Sequence, residues 1–566
     1  MGENVAPTPT ATPPRKRLVH RLPTPLRQHW KLAATFIAFV AVLAIVFGDS
    51  RVRPYITGDA TVIASQVTEN VTGTVDFFDT SVEHTFEVEF TQADYDKMIE
   101  AYETDGDKEW ITADLTIDGT LVADVGVRLK GNSTLRGLQN NTSGEGGMQP
   151  PEGMELPDGM ELPDDMELPD GMELPDAAAT TEGGAPGGMG GRGGMVTLSA
   201  DDPASLPLLI SFDKYVSGRA YQGMTQLSVR PGSPVLNEAM ALSLTAESGQ
   251  PTQRYSYAVY SVNGSETQTR LILEHPDDGY ANSLFDSDGV LYKADANSSF
   301  TYQGDDQTTY VDQFKQINGE GSQDLQPIIS FLKWLDSASD EQFDAELADW
   351  VDVDSFARYV ATQNLLVNSD DMAGPGKNYY LWYDLDSKKI SVVSWDLNLA
   401  LSSNSEAGPH DSISMGGGGG FGAAQQGATT EGAEPQGAAP QGGGARGGRM
   451  RPQAATDGTA PTDGTAAAGG AGGMGGGMGG GMGGNQLKER FLASTAFTET
   501  YDSAYRELYE QLFSSGRTLE VLDDVAASIP LSDGLTEQAL ATEVETMRTR
   551  LQARTDALAD DPVIAG

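Results

Sequence analysis

Three oxygen-bearing side chains lie close together in the stretch from Asp370 to Asp396. Asn378 and Asp396 bracket two runs rich in aromatic and β-branched residues, 379–383 and 390–395, which flank an Asp-Leu-Asp-Ser turn. An antiparallel hairpin this short returns both ends to one side. Asp370 lies just upstream, in a loop broken by Gly374-Pro375-Gly376. Two carboxylates and an amide oxygen gathered there suit Mg²⁺ and phosphate chemistry. Spacing alone leaves a second reading equally open: a surface hairpin with capping Asp and Asn at its ends.

Composition narrows the classes of function. The chain has 566 residues, with Gly 67 and Pro 29 concentrated in blocks that do not pack. What remains, roughly 400 residues, is enough for one large two-lobed domain. A net charge of -46 argues against nucleic acid as a partner, because phosphates are repelled. Bound ATP stays compatible when a divalent metal bridges its phosphates. The absence of cysteine rules out disulfides, thiolate zinc sites and cysteine nucleophiles together. Five histidines without a His-Glu-x-x-His pattern speak against a zinc hydrolase.

Residues 32–47 are apolar apart from Thr35, near the short end of the roughly 17–25 residues that span a bilayer. Arg15, Lys16, Arg17, Arg21, Arg27 and Lys31 precede this run, and only Arg51 and Arg53 follow closely. That asymmetry predicts a single-pass signal anchor over 32–48, with its N-terminus cytoplasmic and the main domain outside. A cleaved signal peptide is the alternative, but no clean small-x-small site follows.

The rest of the chain divides by composition. A basic Pro/Thr-rich tail covers 1–31 and a linker 49–75. Strand and helix patterns then form an N-terminal lobe over 76–138, with strands at 82–90, 111–117 and 121–130 and a helix opening at Thr91. Asp118-Gly119 reads as a hairpin turn. Residues 139–200 hold four acidic hexapeptides (GMELPD, GMELPD, DMELPD, GMELPD) and a Gly/Met-rich tail, predicted as a disordered insertion. A core over 201–402 follows, with strands at 208–212, 255–262, 270–274 and 290–294 and helices at 236–247, 325–335 and 343–367. A second Gly/Ala/Gln/Met-rich insertion spans 403–485. The last part, 486–566, is helical, with Phe497, Tyr501, Tyr505, Leu508 and Leu512 on one apolar face and Val544, Met547 and Leu551 on another.

Several motifs in fixed order carry a family resemblance. They are GVRLKGNSTLRG at 126–137, LPLLISFDKYVSG at 206–218, VLNEAMALSL at 235–244, YAVYSVNG at 257–264, LILEHP at 271–276, VLYKAD at 290–295, NSDDMAGPGKNYYLWYD at 368–384 and SWDLNLAL at 394–401. With these the chain resembles the spore-coat protein H (CotH) kinase family, atypical secreted or surface protein kinases of bacteria. The resemblance implies an α+β, diverged two-lobed protein-kinase-like fold with ATP between the lobes and a helical C-terminal part. It also implies a catalytic-loop Asp and a metal-binding Asp on either side of a short hairpin. Carried over by position, Gly131, Asn132 and Ser133 sit at the phosphates. Glu238 replaces the helix glutamate that pairs with an ATP-binding lysine, and Glu274 lies near the adenine. Asp370 takes the proton of the acceptor hydroxyl. Asn378, Asp396 and Asn398 hold Mg²⁺ or Mn²⁺. The family pattern expects a basic residue in the strand at 208–210, where this chain has Leu209. Lys214, Arg128, Lys130 or Lys293 are the candidates to supply that charge, Lys293 foremost. Two functions follow: a membrane-anchored kinase acting on hydroxyl side chains of surface or secreted proteins, or a surface scaffold that keeps the fold without catalysis.

Overall fold

The structure, a computed structural model, describes residues 67–131, 134, 135, 138, 198–402, 404–413 and 484–566. The chain divides after Asp59 into two units, and all described residues belong to the second, Ala60–Gly566. The predicted anchor at 32–48, Asn132, Ser133 and the bulk of both insertions lie outside the described residues. Among the described residues no helix is long and apolar enough to cross a membrane.

Period-two alternation builds the first body. In β2 (His84–Glu89) His84, Phe86 and Val88 point inward while Glu87 and Glu89 face solvent. β3 (Ile111–Ile117) alternates likewise and turns at Asp118-Gly119, both at positive φ, into β4 (Thr120–Leu129). β5 (Leu208–Ser211), β7 (Gln226–Val229), β8 (Tyr255–Val262) and β9 (Gln268–Glu274) complete a closed barrel in the order β2-β3-β4-β5-β7-β9-β8. Its closing β2–β8 contact is parallel and the remaining neighbours are antiparallel. A short parallel pair, β1 (Glu69–Val71) with β6 (Arg219–Tyr221), lies beside it. Helix α1 (Gln92–Asp105) starts where the Thr91 hydroxyl accepts Asp94 N–H at 3.2 Å and stops at Gly106, φ 76°. Its Tyr95, Met98, Ile99 and Tyr102 join the barrel core.

The second body has period-3.6 patterns around a four-stranded antiparallel sheet. The sheet order is β11 (Phe314–Gln316), β10 (Gly289–Ala294), β12 (Tyr379–Asp384), β13 (Ile390–Ser394). Helices α3 (Gln326–Ser337), α4 (Asp340–Trp350) and α5 (Val353–Leu365) precede the hairpin. Four longer helices follow the second insertion: α6 (Gln486–Ala493), α7 (Thr498–Tyr509), α8 (Arg517–Ala527) and α9 (Glu537–Ala559). Helix α2 (Leu236–Glu247) follows barrel strand β7 but sinks Leu236, Ala239, Met240 and Leu244 into the core of this helical body. It therefore ties the two bodies together.

Two boundaries differ from the sequence expectation. The helix expected over 343–367 is broken at Val351-Asp352. Val351 is buried and bridges to Ile390, while Asp352 caps α5 by accepting Ser355 N–H at 3.1 Å. Order also runs past 402. The Asn364 side-chain amide donates to Gly408 O (3.1 Å) and Asp411 O (3.3 Å), and Tyr501 OH donates to Pro409 O (2.5 Å). The aromatic face expected on α7 is buried as its spacing predicts, and Met547 and Leu551 are buried on α9, with Val544 packed at the margin.

Candidate active site

Register within the β12–β13 hairpin sets the geometry. Tyr379 pairs with Ser394, so Asn378 and Asp396 leave the hairpin at the same open end. The far turn is closed by Asp384, whose Oδ1 accepts the N–H groups of Asp386 (3.0 Å) and Ser387 (2.6 Å). Asp370, nearly buried, is gripped by the loop that follows it: Gly376 N–H donates to Oδ1 at 2.5 Å and the Asn378 amide donates to Oδ2 at 3.0 Å. This grip requires glycine. A Cβ on Gly374 would lie 2.4 Å from Asp370 Cα, and one on Gly376 would lie 2.4 Å from Oδ2. Asp396 itself takes left-handed backbone angles, φ 52° and ψ 63°, a conformation Asp tolerates better than most residues.

The cation missing at Leu209 is present elsewhere. Arg230 follows β7 directly, its N–H bound to Leu271 O at 2.9 Å, and its guanidinium reaches both Glu238 and Asp396. The contact with Asp396 Oδ1 is 2.6 Å. Glu238, on the first turn of α2, is fully buried, and Asp396 keeps 28% of its side chain exposed. One arginine thus joins the barrel, α2 and the hairpin. Asn237, one residue before Glu238, adds a second tie by donating to the carbonyls of Asn398 and Ala400.

Around this link the field is strongly positive. Lys130 leaves β4 and Lys293 lies in β10, and their ammonium groups sit 5.2 Å and 4.7 Å from the ring of Trp395. Burial works against the Asp396 carboxylate, but Arg230, Lys130 and Lys293 outweigh it and hold its pKa below the usual carboxylate range. Burial and the charge of Arg230 push Lys130 well below the ordinary lysine value. His275 is driven well below its ordinary value by burial and by Lys130, Lys293, Lys315 and Arg128. Asp370 moves the other way: burial and the neighbouring charges of Asp396 and Asp371 raise it, despite the stabilising bonds from Gly376 and Asn378.

These observations fit a bound triphosphate. No described carboxylate lies within ion-pair distance of Lys130 or Lys293, and Glu238 Oε2 and Arg230 Nε are buried without hydrogen-bond partners. Among the described residues no three acidic or histidine side chains gather as a metal cage. A divalent ion here would rely on Asp396, the amide oxygens of Asn378 and Asn398, and the phosphates themselves, the mode Mg²⁺ favours.

The other expected positions are spread around this centre. Gly131, at φ 114°, follows Lys130 just beyond the end of β4. Leu209 lies between Arg128 and Ser228 across the β4-β5-β7 ladder. It is buried but does not belong to the barrel's interior cluster. The Glu274 carboxylate accepts hydrogen bonds from Arg254 at 3.1 and 2.7 Å. Lys214 and Arg128 meet at Trp110, and Arg128 also adds its charge at His275. The sequence does not point to Arg230, because the family pattern places the cation in the strand of Leu209, not in the turn after β7. The usable signal was an arginine eight residues before Glu238, between a short strand pattern and Pro231-Gly232.

The barrel, the helix with its buried glutamate and the carboxylate hairpin define a kinase-like protein. The family described as CotH kinase protein matches residues 231–556, and the chain belongs to it. Arg230 falls one residue before that match begins. Among solved structures, the Shewanella oneidensis MR-1 toxin–antitoxin complex of HipA, HipB and operator DNA is similar at 12% identity and a TM-score of 0.27, over 60% of each chain. A likeness that slight carries no argument about this chain. No curated protein matches it.

Proposed function

We propose that this protein transfers the γ-phosphoryl group of ATP to hydroxyl side chains of proteins at the cell surface, held to the membrane by the apolar run at 32–47. ATP with Mg²⁺ or Mn²⁺ supplies the phosphoryl group and the charge neutralisation. Arg230, Lys130 and Lys293 hold the phosphates, and Glu238 keeps Arg230 extended toward them. Asp396, Asn378 and Asn398 offer the metal its protein oxygens. Asp370, raised by burial and kept in place by Gly376 and Asn378, accepts the proton of the acceptor hydroxyl. Phosphoryl transfer asks for little more than this positioning and neutralisation. The observation that carries the proposal is the Arg230 link to both Glu238 and Asp396, which supplies the cation that Leu209 does not. It supports the kinase reading over a scaffold without catalysis.

The test is to incubate the chain from Val52 onward with γ-labelled ATP, Mg²⁺ or Mn²⁺ and a generic protein acceptor. Label in the wild type that is lost in both Asp370→Ala and Asp396→Ala supports the kinase. Folded protein that neither binds nucleotide nor transfers label rejects it.

A further inference from the structure

The ring of Trp395 receives a lysine from each body of the molecule. In β10, Lys293 lies opposite Tyr380 of β12, which lies opposite Val393 of β13, so these side chains form a row across one face of the sheet. Trp395, just past the end of β13, packs with Tyr380 and Val393 on that face. Lys130 arrives from the barrel, just beyond the end of β4, with its N–H bound to Pro207 O at 2.9 Å. The Lys293 and Lys130 ammonium groups come to 4.7 Å and 5.2 Å from the ring centre. The ring itself is held firmly: it is 6% exposed, and Tyr380 and His275 meet it nearly at right angles, with ring centres 5.2 and 5.8 Å away. His275 lies within hydrogen-bond distance of Ser228 Oγ (3.1 Å), and burial with the surrounding cations drives its pKa far down. It therefore brings no third charge to the ring at neutral pH.

Two lysines near enough to disfavour each other's charge need an attraction that offsets the repulsion. A carboxylate is the usual choice. Among the described residues none forms an ion pair with either lysine, and Asp396, Glu238 and Asp295 act on them only from farther away. An aromatic face attracts an ammonium group through its quadrupole and adds no charge of its own. The difference matters to an anionic ligand. A carboxylate partner would cancel the charge and would have to be displaced, whereas a ring leaves the charge whole. A phosphate that then binds supplies the counter-charge that favours both ammonium forms.

We propose, resting on the phosphate reading above, that Trp395 is a positioning residue for the phosphate subsite: its ring gathers Lys130 and Lys293 into one place without neutralising either. The stretch Ser394-Trp395-Asp396 then carries two tasks side by side, holding the phosphate lysines and offering a carboxylate to the metal. Because Lys130 belongs to the barrel and Lys293 to the sheet, the ring also sets the spacing of the two bodies where the phosphates lie.

Calorimetric titration of the full chain with inorganic triphosphate and, separately, with adenosine, both with Mg²⁺ present, tests this. Trp395→Leu keeps an apolar side chain and removes the ring, so triphosphate affinity should fall about tenfold while adenosine affinity changes less than about twofold. Trp395→Phe retains a weaker ring and should lose only about threefold, a result that stands alone if thermal unfolding shows Trp395→Leu to be unfolded. In steady-state labelling, KM for ATP should rise by a similar factor, with a smaller change in kcat. Unchanged triphosphate affinity in folded Trp395→Leu overturns the proposal. So does an equal loss of adenosine and triphosphate, which marks a packing role, or a Phe variant no better than Leu. Each of these leaves the kinase reading standing. Triphosphate binding that depends on Trp395, in a protein that transfers no label, upholds the positioning role and counts against the kinase reading instead.

Discussion

Two arginines, the partly buried Arg230 and the fully buried Arg554, show how differently one side chain can be used. Arg230 sits between two carboxylates, and their charges outweigh burial and raise its pKa. Arg554, on α9, is 1% exposed and forms no ion pair with a described carboxylate. It donates instead to the carbonyls of Leu365 (3.2 Å), Asn364 (3.0 Å), Ser405 (3.1 Å) and Ala407, and to Tyr505 OH (3.1 Å). Burial lowers its pKa. The carbonyl-bound arginine is a clasp: it fixes the end of α5, five residues before Asp370, to the ordered stem of the second insertion. The carboxylate-bound arginine joins the barrel, α2 and the hairpin, and its Nε and Glu238 Oε2 have no hydrogen-bond partner among the described residues. Of these two arginines, the clasp is fully hydrogen-bonded and the one beside Asp396 is not.

The largest expected effect is on the chemistry beside Arg230. Asp370→Asn and Asp396→Asn should each lower phosphoryl transfer by about 10²–10⁴-fold with folding intact, measured by steady-state labelling. If only one of them does, the hairpin does not act as a unit.

Next is the pair itself. Arg230→Met strands the fully buried Glu238 carboxylate and should cost about 3–5 kcal/mol in urea unfolding. Arg230→Met with Glu238→Leu should recover most of that stability without restoring transfer. Recovery of both would erase the distinction between the two arginines.

Arg554→Met should cost about 2–3 kcal/mol, because it leaves several buried carbonyls unpaired. Nucleotide affinity should change by less than about threefold, since nothing on α9 reaches the cations at Trp395. Loss of nucleotide binding in a folded Arg554→Met protein would make the clasp part of the site.

The smallest effect is in pH dependence. A proton acceptor must be ionised, and the Asp370 pKa is raised, so transfer should fall as pH drops through a value above the usual carboxylate range. The acid limb of kcat/KM should flatten in Asp370→Asn, whose residual rate has no base to titrate.

Much of this was legible in the sequence, for identifiable reasons. The β12–β13 hairpin, α1, α2 and the buried face of α7 followed from alternation, caps and three- and four-residue spacing, which are local. The glycines around Asp370 were visible as a broken loop, although their steric necessity was not. The break at Val351-Asp352 was hidden because Val351 is held by Ile390, a contact between residues far apart in sequence. Arg230 was hidden because strand order is a long-range property: only the β5-β7-β9 ladder shows which strand ends nearest the buried glutamate. Arg554 reads as an ordinary solvated charge on a polar helix until the stem at 404–413 is seen to cover it.

Closure of the barrel has its own consequence. In the seven-strand ring from β2 to β8 every strand has a neighbour on both sides, and the parallel β2–β8 contact is what seals it. An open sheet would offer a rim of free amides and carbonyls, inviting another chain to add a strand. Among the described strands the barrel has no such rim, and in this lobe only the short β1–β6 pair beside it keeps free edges. Other proteins must meet the barrel through loops and side chains alone, a safeguard against unspecific aggregation in a molecule that carries two long low-complexity tethers.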